Sequence, residues 1–236
     1  MSTGVKRPLL IALALLCTLG FGGLGVWQVE RLQWKLDLIA RVDARVHAAP
    51  APLPEPAQWA ALDRRDYEYR HVRAQGVFLH DRETLVQALT ERGPGFWVLT
   101  PLRTPQGLVL INRGFVPPEK RVPASRFGGQ VPGTATVTGL MRASEPKGTL
   151  LRSNDPAANR WYSRDVAAIA EARGLGVVAP FFVDADAAPN PGGYPIGGLT
   201  VIHFRNSHLV YALTWFALAG LSAAGAFLLL RTRTPR

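Results

Sequence analysis

The hydrophobic pattern splits the chain into two long apolar runs with short alternating segments between them. Residues 8–29 carry no charge over 22 positions. As an α-helix this run is roughly 33 Å long, against a hydrocarbon core of about 30 Å, and it predicts a transmembrane helix. It is too long for the apolar region of a secretory signal and has no small-residue cleavage site at its end, so it reads as an uncleaved anchor. A second uncharged stretch, residues 206–230, contains LVYALTWFALAGLSAAGAFLLL and predicts another span. Past the first run, RLQWKLDLIARVDARV places Leu32, Leu36, Ile39 and Val46 near helical spacing with charges opposite, so the helix continues as an amphipathic one. APAPLPEPAQ, residues 49–58, reads as an extended, semi-rigid linker.

Beyond that linker the period becomes strand-like. YRHVRAQGVFL, TLVQAL, FWVLTPL, LVLINRGFV, TATVTGLMR and PFFVDAD read as strands, with RGPG, TPQG and VPGT as turns between some of them. RDVAAIAEARG predicts a helix from about Asp165, closed by Gly174 in a left-handed conformation. PNPGGYPIGG is loop. The expected fold is an α+β membrane protein: two transmembrane helices flanking an antiparallel, β-sheet-rich extracytoplasmic domain with one or two helices. The expected boundaries are 1–29 for the cytoplasmic N-terminus and first span, 30–58 for the amphipathic helix and linker, 59–205 for the outer domain, and 206–236 for the second span and a basic cytoplasmic tail.

TLGFGGLG, residues 18–25, holds Gly20, Gly22 and Gly25 in the G-x-G-x-x-G spacing of a dinucleotide-binding turn, with Asp43 downstream. That fingerprint requires a strand of about 5–6 residues before it and a second strand after it. Here a membrane-length run precedes it and an amphipathic helix follows. The glycines therefore suit close approach of another helix near the outer end of the span, and Trp27 suits the interface.

Charge sharpens this picture. The net charge is +10, yet five of the 27 basic residues (Lys6, Arg7, Arg231, Arg233 and Arg236) flank the two apolar runs, and all 17 acids lie between positions 30 and 186. The positive-inside rule then places both termini in the cytoplasm. No Lys/Arg-rich block appears inside the chain, so a nucleic-acid partner is not expected. Cys17 is the single cysteine, which excludes a disulfide framework, a CxxC redox pair and a thiolate metal cluster.

Catalytic candidates are few. There is no G-x-S-x-G elbow, P-loop or H-E-x-x-H pattern. His80, Asp81 and Glu83 are dense and polar but fall between two predicted strands, where a solvated turn is expected; they form the set an extracytoplasmic enzyme or sensor would use. His47 and His71 read as surface residues. Asp184 and Asp186 alternate at a strand end and make a weak metal site. His208 stands out at the outer end of the second span, because an ionisable group at the bilayer edge is costly. Tyr211, Ala212 and Trp215 share its helical face. Two readings stay open on residue chemistry: a headgroup anchor, which is favoured, or a haem-iron ligand beside an aromatic slot, with Arg205 pairing a propionate.

Several stretches carry a family resemblance: LGVWQVERLQWKLDLI, VLTPL with VLINRGFVP, GLMRASEPKG, NDPAANRWYSRDVAAIA, PFFVDAD, and GGYPIGGLTVIHFRNSHLVYALTWFALA. In this order and between two spans, they resemble the surfeit locus protein 1 family of cytochrome c oxidase assembly factors. Phe115 stands where that family often has Trp. The resemblance implies a non-enzymatic factor that binds haem a and assists its insertion into oxidase subunit I, with subunit I, haem A synthase and the lipid bilayer as partners. Asn206, His208, Tyr211, Ala212, Thr214 and Trp215 complete the pattern N-x-H-x-x-Y-A-x-T-W, whose histidine is the family's proposed haem-iron ligand. The resemblance thus reverses the preference at His208; Tyr211 and Trp215 would line the slot and Arg205 would hold a propionate. Trp27, Gly22, Gly25 and Arg113 are weaker candidates for docking contacts. A haem-independent scaffold for subunit I is the alternative. Seven residues precede the first span, too few for a mitochondrial targeting sequence, so the expected location is a bacterial cytoplasmic (inner) membrane with the central domain periplasmic.

Overall fold

The computed structural model describes residues 3–149, 151–202, 204 and 206–231. It divides into two units: α1 (Thr3–Val46) as far as Arg41 together with α4 (His208–Arg231), and Val42–Ile202.

In the first unit both helices are long and apolar enough to cross a membrane. At 44 residues α1 is about 66 Å long, more than twice a hydrocarbon core, as the amphipathic continuation requires. The two helices run antiparallel. At one end the Arg7 guanidinium donates to the Leu229 carbonyl, 3.0 Å from Nε, so a cation satisfies the free carbonyls of the last turn of α4. Further along, Phe21 stacks on Trp215 with centroids 5.6 Å apart and planes at 25°. Gly25 is buried under Phe216; a Cβ there would lie 2.6 Å from a ring carbon. The glycine-rich stretch thus packs helix on helix, as expected for small residues in a span.

The second unit is a seven-stranded sheet: β1 (Ala51–Pro52), β2 (His71–Phe78), β3 (Thr84–Thr90), β4 (Gly93–Thr104), β5 (Gly107–Val116), β6 (Thr134–Ala143) and β7 (Val178–Ala185), in the order β1-β2-β6-β7-β5-β4-β3. Each strand-like segment of the sequence supplies one of β2 to β7. Two departures from expectation occur. The sheet is mixed, because β5 and β7 pair in parallel, as do β1 and β2. The proline-rich linker is extended but belongs to the domain: Ala51 and Pro52 pair with Val72 and Arg73, and Leu53 is buried in the core. Proline cannot donate to a ladder, which confines such a strand to an edge.

A further pairing of Val77 and Phe78 with Arg103 and Leu102 closes β2, β6, β7, β5 and β4 into a ring. Gly76 sits at that closure, where the Arg103 carbonyl leaves no space for a Cβ. Strand alternation then sorts the side chains into two cores. Val72, Ala74, Phe78, Leu102, Val109, Ile111, Met141, Phe181 and Val183 fill one. Leu99, Leu110 and Phe182, of opposite parity, join Val86 and Trp161 in the other, under α3 (Val166–Ala172). Asp165 caps α3 by accepting from the Ala168 amide at 3.2 Å, and Gly174 follows with φ +61°, as the sequence predicts. A single turn, α2 (Arg64–Tyr67), precedes β2 and brings Tyr67 into the first core.

Candidate functional site

The first site lies within the two-helix unit. His208 occupies the first position of α4, and its Nδ1 lies 2.7 Å from Gln28 Oε1 on α1. An amide oxygen only accepts, so Nδ1 carries the proton and donates it. In the neutral imidazole this places the lone pair on Nε2, the tautomer a metal-ligating histidine needs, held by an outer hydrogen bond of the usual kind. Gln28 is buried at 9 % exposure and lies three residues beyond the buried Gly25. Sequence reasoning missed it. The available signal was a lone amide closing an uncharged run, a polar group that a span normally pairs with a neighbouring helix.

The other expected site residues have varied surroundings. Trp215 is half-buried against Phe21, Ala212 is buried, and Tyr211 is 55 % exposed. Arg205, expected to hold a propionate, lies outside the described residues. Trp27 is exposed, whereas Gly25 is spent on Phe216 within the same chain. No group of three or more His, Cys, Asp or Glu side chains among the described residues is placed to hold a metal ion.

A second polar centre lies in the sheet domain, beside a cavity of about 610 Å³. Asp184 on β7 is 3 % exposed. Its Oδ1 accepts from Asn112 Nδ2 at 2.8 Å and Arg164 Nη1 at 3.1 Å; its Oδ2 accepts from Arg142 Nη1 at 2.8 Å and Thr200 Oγ1 at 3.0 Å. Two good donors on each oxygen saturate a carboxylate, so Asp184 has no lone pair left to act as a base or a ligand. Arg164 also pairs with Glu145 at 2.5 Å. Burial opposes the charged form of Arg164, but Asp184 and Glu145 outweigh it and raise its pKa. Likewise, burial would push the Glu145 carboxyl up, and the Arg164 hydrogen bonds and charge bring it below its ordinary value. Asn112, Arg142, Glu145, Arg164, Asp184 and Thr200 come from five of the stretches that carry the family resemblance. What those stretches build together is one charge-balanced buried network.

Three expectations in this domain are corrected, a solvated Glu83, a surface His71 and a docking Arg113, and neither the rival set at residues 80–83 nor the weak pair at Asp184 and Asp186 is assembled. His80, Asp81 and Glu83 do not form one site. His80 donates from Nε2 to the Val131 carbonyl at 3.1 Å, Asp81 pairs with Arg82, and Glu83 is buried with both oxygens on Arg126. Asp184 and Asp186 go to different partners, Asp186 to His71 at 2.9 Å. His71 is not a free surface residue: its side chain is 18 % exposed and its Nδ1 lies 2.9 Å from the Ala48 carbonyl. Arg113 is 3 % exposed and cannot serve as a surface docking contact.

The His71 pairing carries a pH prediction. Burial disfavours the charged ring, yet the Asp186 and Ala48 hydrogen bonds raise its pKa above the ordinary value of about 6.5. A folded-state pKa above the unfolded one contributes stability that is complete below about pH 6.5 and lost as pH rises through the folded value. Replacing His71 with Gln should therefore destabilise the domain more at about pH 5.5 than at about pH 8, by chemical unfolding at both. An equal loss at both would contradict the pairing.

The model of the SURF1 family matches residues 15–220. Surfeit locus protein 1 of Homo sapiens is 38 % identical over 224 residues, which covers 87 % of this chain and 71 % of that protein. The SURF1-like protein of Monosiga brevicollis is 38 % identical over 217 residues, 86 % of this chain and 80 % of the relative. Surfeit locus protein 1 of Takifugu rubripes is 36 % identical over 225 residues, covering 87 % and 89 %.

Proposed function

The chain belongs to the SURF1 family, and on that premise we propose that it is a membrane-anchored, non-enzymatic assembly factor for cytochrome c oxidase that carries haem a on His208 toward oxidase subunit I. The observation that supports the haem role is the His208–Gln28 hydrogen bond. It gives the imidazole a defined tautomer with Nε2 available, where a helix anchor at the headgroups would need no such partner. Bound haem would supply an iron that accepts the Nε2 lone pair. Tyr211 and Trp215 would line the slot, Trp215 braced by Phe21, and Arg205 would meet a propionate. With one imidazole as protein ligand, the site holds its cargo weakly enough to release it. Haem A synthase is the proposed donor and subunit I the acceptor.

Charge supports the proposed topology, with both chain ends cytoplasmic and the sheet domain extracytoplasmic: Lys6, Arg7 and Arg231 gather at one end of the antiparallel pair.

Gln28→Leu tests the reading because leucine keeps size and loses the acceptor. Outer partners of metal-bound histidine typically contribute roughly 10–100-fold in affinity. Cells lacking the native chain and complemented with Gln28→Leu should assemble less haem a-containing oxidase than wild type and more than with His208→Ala, at equal chain levels. Full oxidase in both variants would favour the haem-independent scaffold.

A further inference from the structure

The barrel-like ring of the sheet domain has a cavity of about 290 Å³ at one end, and an arginine stands in its wall. On β5, Val109 and Ile111 point into the ring core, and Arg113 continues their parity. Such a position normally takes an apolar residue. Here a guanidinium is 3 % exposed, stacked over the Phe78 ring at 4.8 Å. Its Nη2 donates to the Gly129 carbonyl and, at 2.9 Å, to Asn190 Oδ1. Its Nη1 is shut off from solvent and bonded to nothing among the described residues.

The buried Arg126 and the largely buried Arg142 and Arg164 each hold a carboxylate directly. Arg126 holds both oxygens of Glu83, Arg142 has Asp184, and Arg164 has Asp184 and Glu145. Arg113 hydrogen-bonds only neutral acceptors and stacks on a ring, with Glu83 acting on it through space. Glu83 is already taken by Arg126, and Asp186, which also lines the cavity, is taken by His71. Burial lowers the Arg113 pKa to about 10, so the group stays charged near neutral pH. Glu83 therefore serves two buried guanidinium groups, Arg126 by direct hydrogen bonds and Arg113 through space, which leaves one positive charge over at the cavity wall; an under-compensated buried charge is costly, and an arriving anion would relieve it. The rest of the wall is mostly apolar, with Phe78, Ile111, Val131, Ala135 and Val137 among its residues. Mouths of small barrels with a few converging polar groups are common ligand sites.

We infer that this cavity binds a small monocarboxylate with an apolar body, its carboxylate on Arg113 and its body against Phe78, Ile111 and Val137. This site stands independently of the haem reading, because it uses only residues of the sheet domain.

The test is isothermal titration calorimetry of the full chain in detergent with benzoate, and with benzamide as its uncharged match. Benzoate should bind at one per chain, and benzamide at least about tenfold more weakly, since a charge-assisted pair is lost. Arg113→Gln should weaken benzoate by a similar factor. Because that variant also loses the bond to Gly129 and can fail to fold, Ala135→Leu provides a second arm. It fills the cavity from a half-buried position on β6, leaves Arg113 untouched, and should also abolish benzoate binding. No benzoate binding to wild type, equal binding of benzoate and benzamide, or unchanged binding to Ala135→Leu would each overturn the inference.

Discussion

Asp184→Ala is expected to destabilise the sheet domain by about 3–5 kcal/mol, the cost of leaving buried charges without their partner. Four donors converge on this one carboxylate, from β5, β6, the segment before α3 and the segment after β7. Removing it strands Asn112 and Thr200 and takes one counter-charge from two half-neutralised arginines. Arg164 keeps Glu145, but Arg142 is left with Glu68, whose nearest oxygen lies 3.7 Å from its Nε. Coulomb repulsion between the two guanidinium groups, now unscreened by the carboxylate, adds to the loss. Asp184→Asn should fall between wild type and Asp184→Ala, since it keeps one acceptor oxygen and loses the charge. Chemical unfolding of the full chain in detergent, followed by the fluorescence of the buried Trp161, measures both. A loss below about 1 kcal/mol for Asp184→Ala would place the network with solvent-screened surface pairs.

His208→Ala is expected to abolish haem retention while leaving the chain folded and in the membrane. His208 stands at the first position of α4, and among the described residues its side chain bonds to Gln28. Its loss therefore leaves the helix pair held by Phe21 on Trp215, Phe216 on Gly25 and Arg7 on Leu229. A haem-independent scaffold would assemble oxidase normally with this variant. A carrier would not.

Local pattern exposed most of the strands because their two faces meet different surroundings. In β2, Val72, Ala74 and Phe78 alternate with His71, Arg73 and Gln75, and in α3 the Asp165 cap and Gly174 both announce themselves. Partner choice is a different matter. Nothing in LVLINRGFV says that β5 lies parallel to β7, since a period of two is the same for either direction. The edge strand at Ala51–Pro52 was hidden by proline, whose linker composition says nothing of whether a Leu53 inside it is buried. Site legibility split the same way. His208 was visible as an ionisable group at a bilayer edge, whereas Gln28 was not, because its importance comes from a residue 180 positions away. Glu83 was read as solvated because its neighbours Asp81 and Arg82 are; its burial depends on Arg126 reaching it from a distant loop.

The most direct test of the haem reading is the visible absorption spectrum of the full chain, purified in detergent from cells that make haem A, beside His208→Ala. A reduced haem a band in the wild type that disappears in the variant is the predicted result. Equal bands in the two proteins, or none in either, would contradict it and leave His208 as a helix anchor.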